Sequence, residues 1–511
     1  MTANSQGKVR RLGIFAGPVL ALVLYILLPA EYHGATGEVV PLGHATRATL
    51  AMMAWMAAWW MTEAVDIAVT SLVPIVAFPI LGIMPLGKTT ANYGADVIFL
   101  FFGGFVIALA IQRWGLDRRI AFQALKWVGT RPAAIVAGIM GATAFISMWV
   151  SNTATAAMMV PIALSIVDLS VVRRTGKTLA EHGGIPGDDA NNRNLGLSLL
   201  LGVAYAASIG GLGTIIGSPP NGIFVRFYAQ TYGAEVSFAK WMLVGIPAML
   251  LFLPLAWFLL ARVLFPVRIR EIEGGRDWVT GEIRKLGPLN RGERATVSVF
   301  ALTVFLWVFR PLLAGIQIGG LAPLAGLSDA LIAVAAAIAL FMIPVDRDRG
   351  QCVIDWESTT RLPWGVLILF GGGLALAAAT EANGVGEYIG SLARGFSGWP
   401  VMGVVFVVIA LMVFMSELTS NTAQVATMLP ILAGLAPVLG VPPALLLVPS
   451  TIAASCAFMM PVGTPPNAIV FGTGLVRMPQ MIKAGLWLNI TGILLITALT
   501  YLVIGPLLAA P

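Results

Sequence analysis

The chain writes one peptide twice, SNTATAAMMVPIA at residues 151–163 and SNTAQVATMLPIL at residues 420–432. Each copy is followed by a second matched pair, Gly217-Ser218-Pro219-Pro220-Asn221 and Gly463-Thr464-Pro465-Pro466-Asn467. All four sit among long apolar runs, where a lipid-facing helix tolerates neither a polar triplet nor tandem prolines. Across residues 132–167 the triplet interrupts the apolar run at its middle. One straight helix would bury those side chains at mid-membrane. Two half-length helices meeting at the triplet form a re-entrant hairpin, whose non-helical tip must be buried in protein or line a cavity. The second copy predicts another hairpin over residues 400–435. Each Gly-[Ser/Thr]-Pro-Pro-Asn is expected to break its helix, since tandem prolines remove two donors and clash with the preceding turn, leaving free carbonyls.

Composition sets the class. Of 511 residues, 58% are hydrophobic and 11% charged, against about 25% charged in soluble domains. The chain reads as an all-α polytopic membrane protein, with apolar runs for about eleven spans of roughly 20 residues. The net charge of +7 is accounted for by Lys and Arg in cytoplasmic loops. No basic stripe with interleaved aromatics appears, so no nucleic-acid partner is expected. Cys352 and Cys456 match neither a disulfide framework nor a metal motif. The opening MTANSQGKVRRLG resembles a signal-peptide n-region, but no small-residue cleavage site follows promptly, and a retained first helix is expected.

Helix 1 is expected over residues 12–28, with Lys8, Arg10 and Arg11 holding the N-terminus in the cytoplasm. The loop 31–47, carrying His33 and His44, falls outside. Helices 2, 3 and 4 follow over 50–61, 68–83 and 97–112. Arg113, Asp117, Arg118 and Arg119 then suit an interfacial helix. After the first hairpin the basic loop 173–193 lies in the cytoplasm, where a hairpin rather than a span would leave it. Helix 5 starts near Leu195 and carries the first break; helix 6 covers 241–264, and 268–294 is charged and cytoplasmic. The second half repeats the plan: helices 7 and 8 over 295–313 and 330–343, a charged loop 346–361, and helix 9 with Phe370-Gly371-Gly372 echoing Phe102-Gly103-Gly104. The second hairpin, broken helix 10 and helix 11, closing near Ala509, complete it.

Counting crossings leaves the halves oppositely oriented, with the C-terminus outside. The expected organisation is a tail and helix 1 (1–48), a first repeat (49–270), a linker (271–294) and an inverted second repeat (295–511). Paired Pro/Gly-interrupted segments in such a repeat mark the binding site of a secondary transporter. Amides at half-helix N-termini attract anions, and unwound carbonyls with Ser and Asn oxygens suit Na⁺. Neither tip and neither break contains Lys, Arg or His. A dianion surrounded by neutral groups is strongly uncompensated, so cation coupling follows from that absence.

These motifs resemble those of the divalent anion–sodium symporter family, which carries di- and tricarboxylates or sulfate. The similarity covers nearly the whole chain: WMTEAVDI at residues 60–67, both SNTA tips and both breaks, in the family's order. The resemblance implies substrate contacts at Asn152, Thr153, Ser218, Pro219, Asn421, Thr422, Thr464 and Pro465. It implies one sodium held by Ser147, Ser151, Asn152 and Gly217, and another by Ser416, Thr419, Asn421 and Gly463. It further implies a homodimer in the bacterial inner membrane and an elevator movement of a transport domain against a scaffold. Sodium-coupled uptake of a C4-dicarboxylate such as succinate, malate or fumarate is the leading expectation. Sulfate or citrate transport, or sodium-independent exchange, stays open.

Plainer roles are expected elsewhere. Gly103-Gly104 and Gly371-Gly372-Gly373 suit close helix packing. Glu417, three residues before the second tip, is an intramembrane acid expected to hold the hairpin by a hydrogen bond. Glu63 and Asp66 are expected to cap a helix junction, and Trp59, Trp60 and Trp149 to serve interfaces or packing. With its three histidines in loops and no paired carboxylates at depth, the sequence does not suit an enzyme. A passive channel would have no use for two cation sites.

Overall fold

The computed structural model describes residues 3–33, 38–185, 189–268, 271–272, 274–318, 321–346, 348–392 and 398–504. It is mostly helical. Helix α1 (Ala3–Leu27) leads through a short antiparallel pair, β1 (Glu31–His33) and β2 (Val39–Pro41), to α2 (His44–Thr62). His44 opens that helix rather than lying in the loop; its ring nitrogens meet the Tyr25 hydroxyl and the Leu81 carbonyl. Glu63 ends α2 in the left-handed region, and the Asp66 carboxylate caps α3 (Ile67–Thr70) through the Ala68 N–H, so the junction acids cap as expected. Expected helix 3 is two pieces, α3 and α4 (Val73–Ile80), with Pro74 opening the second.

Next come α5 (Leu86–Ala91), α6 (Asp96–Arg113), α7 (Leu116–Val128), α8 (Pro132–Ser147), α9 (Asn152–Thr175), α10 (Leu179–His182) and α11 (Ala190–Gly210). They are followed by α12 (Pro219–Tyr232), α13 (Phe238–Phe258) and α14 (Gly275–Leu286). The second half holds α15 (Arg291–Ala314), α16 (Asp329–Met342), the short pair β3 (Pro344–Asp346) and β4 (Gln351–Cys352), α17 (Trp364–Ala382) and α18 (Val385–Leu392). It ends with α19 (Val401–Ser416), α20 (Asn421–Val438), α21 (Ala444–Ala454), α22 (Pro465–Gly472) and α23 (Met478–Leu499). The expected end of helix 11 near Ala509 lies outside the described residues.

Six stretches among the described residues are long and apolar enough to cross a membrane: Leu86–Arg113, Asn152–Thr175, Phe238–Leu264, Arg291–Ala314, Trp364–Ala382 and Met478–Ile504. Helix α15 turns Phe305, Phe309 and Leu312 outward, whereas α6 and α17 are largely buried. Those two cross in the core, with Phe101 and Phe370 ring centroids 4.6 Å apart. Their glycines make the close approaches. A Cβ on Gly103 would lie 2.4 Å from the Ala333 carbonyl of α16, and one on Gly372 would lie 2.4 Å from the Ser71 carbonyl beside α3. Packing, not ligand contact, accounts for them.

Both hairpins form, α8 against α9 and α19 against α20, but the arms are not uniformly half-length. Helix α9 has 24 residues, about 36 Å at 1.5 Å per residue. The apolar run stops near Val167, but the helix continues through Asp168, Arg173 and Arg174 to a left-handed glycine cap at Gly176. Polarity marks where the membrane ends, not where the helix does.

Candidate functional site

At the first tip Ser151 caps α9, accepting from the Ala154 N–H at 3.3 Å, and Asn152 opens the helix. The Asn152 amide is surrounded by oxygens: Ser147 Oγ at the end of α8, the Ala207 carbonyl of α11 and the Gly217 carbonyl of the break. With its nitrogen turned toward them it donates to all three, at 2.7, 3.0 and 3.2 Å. With its oxygen turned toward them it accepts from the Ser147 hydroxyl at 2.7 Å. Such hydroxyl, amide and carbonyl oxygens are hard ligands, suited to an alkali cation.

The first break begins earlier than its prolines. Helix α11 ends at Gly210, residues 211–218 are non-helical, and Pro219 and Pro220 occupy the first turn of α12, where a missing N–H costs nothing. Three of the loop's carbonyls, those of Gly211, Leu212 and Thr214, are also taken. Asn221 Nδ2 donates to the Gly211 and Thr214 carbonyls at 3.0 and 2.8 Å, and the Trp241 indole donates to Leu212. The Thr214 hydroxyl donates to the Met148 carbonyl of the tip and accepts from the Gly217 N–H. Gly217 has no room for a side chain, because a Cβ there would lie 2.7 Å from the Gly211 carbonyl.

The second tip repeats the geometry with different groups. Ser416 Oγ donates toward Gln424 Oε1 at 2.7 Å and sits 2.8 Å from the Met412 carbonyl, while Thr419 Oγ1 bonds the Met415 carbonyl. Asn467 Nδ2 stitches the second break through the Ala457 and Met460 carbonyls, as Asn221 does the first. Glu417 is buried, and its carboxylate accepts from the N–H groups of Phe458, Met459 and Met460 and from Asn489 Nδ2 at 2.7–3.0 Å. Four oxygens here, Asn421 Oδ1, Thr464 Oγ1, Asn467 Oδ1 and Asn489 Oδ1, are buried with no hydrogen-bond partner among the described residues. Native interiors rarely leave such groups unpaired, so they fit an additional ligand.

The two halves meet at this level. Ser218 and Ser455 hydroxyls, one from each break, are 3.3 Å apart. Helix α12 packs on α20 and on α17, and α22 packs on α9 and on α11. Helices α9, α12, α20 and α22 begin at Asn152, Pro219, Asn421 and Pro465, one in each motif; the first-turn N–H groups of α9 and α20 belong to motif residues, whereas tandem prolines remove two such donors each from α12 and α22. Thr153 and Pro465 are exposed, Pro219, Asn421 and Thr422 half-buried, and Ser218 and Thr464 buried. Sequence reasoning missed Ala207, Thr214, Gln424, Ser455 and Asn489. Only Gln424 had a signal, as the residue where SNTAQ departs from SNTAT.

Comparison with known proteins gives the family. Residues 21–509 match the model of the sodium:sulfate symporter transmembrane region. A sodium-dependent dicarboxylate transporter, SdcS, from Staphylococcus saprophyticus is 38% identical over 497 residues, 97% of this chain and 92% of that one. The protein of the same name from Staphylococcus aureus is 38% identical over 493 residues, 96% and 91% of the two chains. The crystal structure of the Alcanivorax borkumensis YdaH transporter, described as having an unusual topology, aligns with a TM-score of 0.57 at 14% identity, covering 97% of this chain and 98% of that one. The last likeness concerns fold alone. The chain belongs to the sodium:sulfate symporter family of membrane transporters.

Proposed function

We propose that this family member is a sodium-coupled secondary transporter that imports C4-dicarboxylates such as succinate, malate and fumarate across a bacterial plasma membrane. The observation that carries the reading is the oxygen cluster at Asn152, Ser147, Ala207 and Gly217, beside a break whose Ser218 touches the other break at Ser455. One sodium is assigned to Ser147, Ser151, Asn152 and Gly217, the other to Ser416, Thr419, Asn421 and Gly463. The anion is assigned to Asn152, Thr153, Ser218, Pro219, Asn421, Thr422, Thr464 and Pro465. Its two carboxylates take up the N–H groups that open α9 and α20 at the hairpin tips, and the co-bound cations offset its charge. The names of the 38% identical relatives support this choice of cation and anion.

The same reading assigns about eleven spans in two inverted repeats, residues 49–270 and 295–511, with the N-terminus cytoplasmic. Hairpins and broken helices move together as one transport unit, in an elevator cycle within a homodimer. The test is uptake of labelled succinate into proteoliposomes under an imposed Na⁺ gradient. Accumulation that collapses when choline replaces sodium is expected. Uptake indifferent to sodium but accelerated by internal dicarboxylate would replace symport with exchange, and competition by sulfate or citrate would reassign the anion.

A further inference from the structure

We propose that Glu417 is a positioning residue and fixed counter-charge for the second sodium half-site, and that it makes this half-site the first to fill. The inference rests on the two-half-site reading above and says how the halves differ. Glu417 follows Ser416, a ligand assigned to the second sodium. A Cβ built on Gly463, another assigned ligand, would lie 3.3 Å from Glu417 Oε2 and 3.3 Å from the Ser416 carbonyl. The carboxylate therefore sits in the wall of the second half-site. It does not compete for the cation, because three consecutive backbone N–H groups and Asn489 already occupy its oxygens. Those bonds fix residues 458–460, and Asn467 ties the Ala457 and Met460 carbonyls at either end. The second break loop is thus held in one shape before any ligand arrives.

Hydrogen bonds satisfy the carboxylate's lone pairs but leave its formal charge. None of the ion pairs among the described residues includes Glu417. A buried, uncompensated charge is unfavourable and draws in a counter-ion. At the matching place in the first half stands Met148, which offers only a carbonyl to Thr214, so that half-site is neutral throughout. With otherwise similar oxygens, the half-site carrying a negative charge a few ångströms away binds a cation more tightly. Sodium enters beside Glu417 first, and the anion and the Asn152 site follow.

The test is the sodium dependence of thermal stability in substrate-free protein, with choline holding ionic strength, alongside the sodium dependence of succinate uptake. Wild type is expected to give a tight and a weak sodium phase. Glu417→Gln should lose the tight phase and raise half-saturating sodium about tenfold or more, with the succinate KM at saturating sodium little changed. Asn152→Ala should keep the tight phase. Glu417→Asp retains the charge on a shorter arm, so half-saturating sodium should stay within about threefold of wild type even where the maximal rate falls. A Glu417→Gln protein with a lower melting temperature and rate but an unshifted sodium dependence overturns the proposal, as does a tight phase lost in Asn152→Ala and kept in Glu417→Gln. If Glu417→Gln does not insert, Glu417→Asp decides, a tenfold shift overturning the counter-charge. A wild type with no sodium response in either assay overturns the transport reading and this inference with it.

Discussion

At the first tip, Met148 lends only its backbone carbonyl to the neighbouring break, and the Thr214 hydroxyl carries the contact onward to the Gly217 N–H. At the second tip the matching residue is Glu417, whose carboxylate reaches three backbone N–H groups and Asn489. The scaffolding around both is nearly the same. Asn221 and Asn467 stitch their loops identically, and Gly245 and Gly485 each lie flat against a loop, where a Cβ would come 2.3 Å from the backbone of Leu212 or Phe458. One backbone geometry can thus be held by neutral or by charged chemistry. A repeated sequence does not mean two equivalent sites.

The ends of the crossing helices differ in the same way. The Arg113 side chain at the end of α6 pairs with Asp355 and Ser358, while Trp114 bonds the Val353 carbonyl. The matching end of α17 is tied by neutral groups, Asn383 to Thr49 and Ile83 and Thr46 to Asn383.

The largest expected effect tests what the halves share. Asn152→Ala and Asn421→Ala should each lower sodium-driven succinate uptake by about 100-fold or more, since hydrogen bonds to charged groups contribute about 1.5–3 kcal/mol each and two are lost together. Near-normal uptake in either variant would leave that half without a site. Next, Gly245→Ala and Gly485→Ala should destabilise to a similar degree, about 1–3 kcal/mol each as over-packing, read as a fall in melting temperature in detergent. A tolerant Gly245 beside an intolerant Gly485 would mean that the scaffolding is not shared after all.

Thr214→Val isolates the neutral linkage. Losing a net hydrogen bond of about 1 kcal/mol, it should slow transport roughly five- to tenfold and leave half-saturating sodium within about twofold of wild type. A sodium shift as large as that of Glu417→Gln would erase the distinction between the halves. The smallest effect belongs to Asp355→Asn, where a largely exposed pair contributes at most about 1 kcal/mol. Bonds from Ser358 and Arg113 pull the Asp355 carboxyl down to about 2, so its contribution is complete above pH 4 and lost only as pH falls through about 2. The melting-temperature difference from wild type should be constant from pH 5 to 8. A difference that changes within that range would assign the charge at this end to another group.

What the sequence made legible was periodic or repeated: apolar runs, two polar triplets and two tandem prolines. Those placed both hairpins, and marked the far end of each break rather than its start. Local boundaries were less visible, because helices extend beyond the apolar stretch, as α9 does through Arg173 and Arg174 to Gly176. The prolines misled about mechanism. They sit where α12 and α22 begin, and the non-helical loops ahead of them, glycine-rich in the first half and carrying Phe458, Met459 and Met460 in the second, read equally well as packing. Ala207 and Met148 act through backbone carbonyls, which no side-chain pattern announces, and Thr214 and Asn489 are single polar residues in apolar helices and loops. Glu417 was legible as an anomaly, but its partners were not.

The docking of α12 on α20 and of α22 on α9 has a consequence for biogenesis. The helix that follows each half's break rests on an arm made by the other half, and the partners leave the ribosome some two hundred residues apart or more. A nascent first half sits in the bilayer with the faces of α9 and α12 that meet α22 and α20 uncovered until the second arrives, so membrane quality control should degrade residues 1–294 expressed alone. Co-expressed residues 295–511 should restore the level seen on a blot; a first half that persists unaided would mean the fold assembles one half at a time.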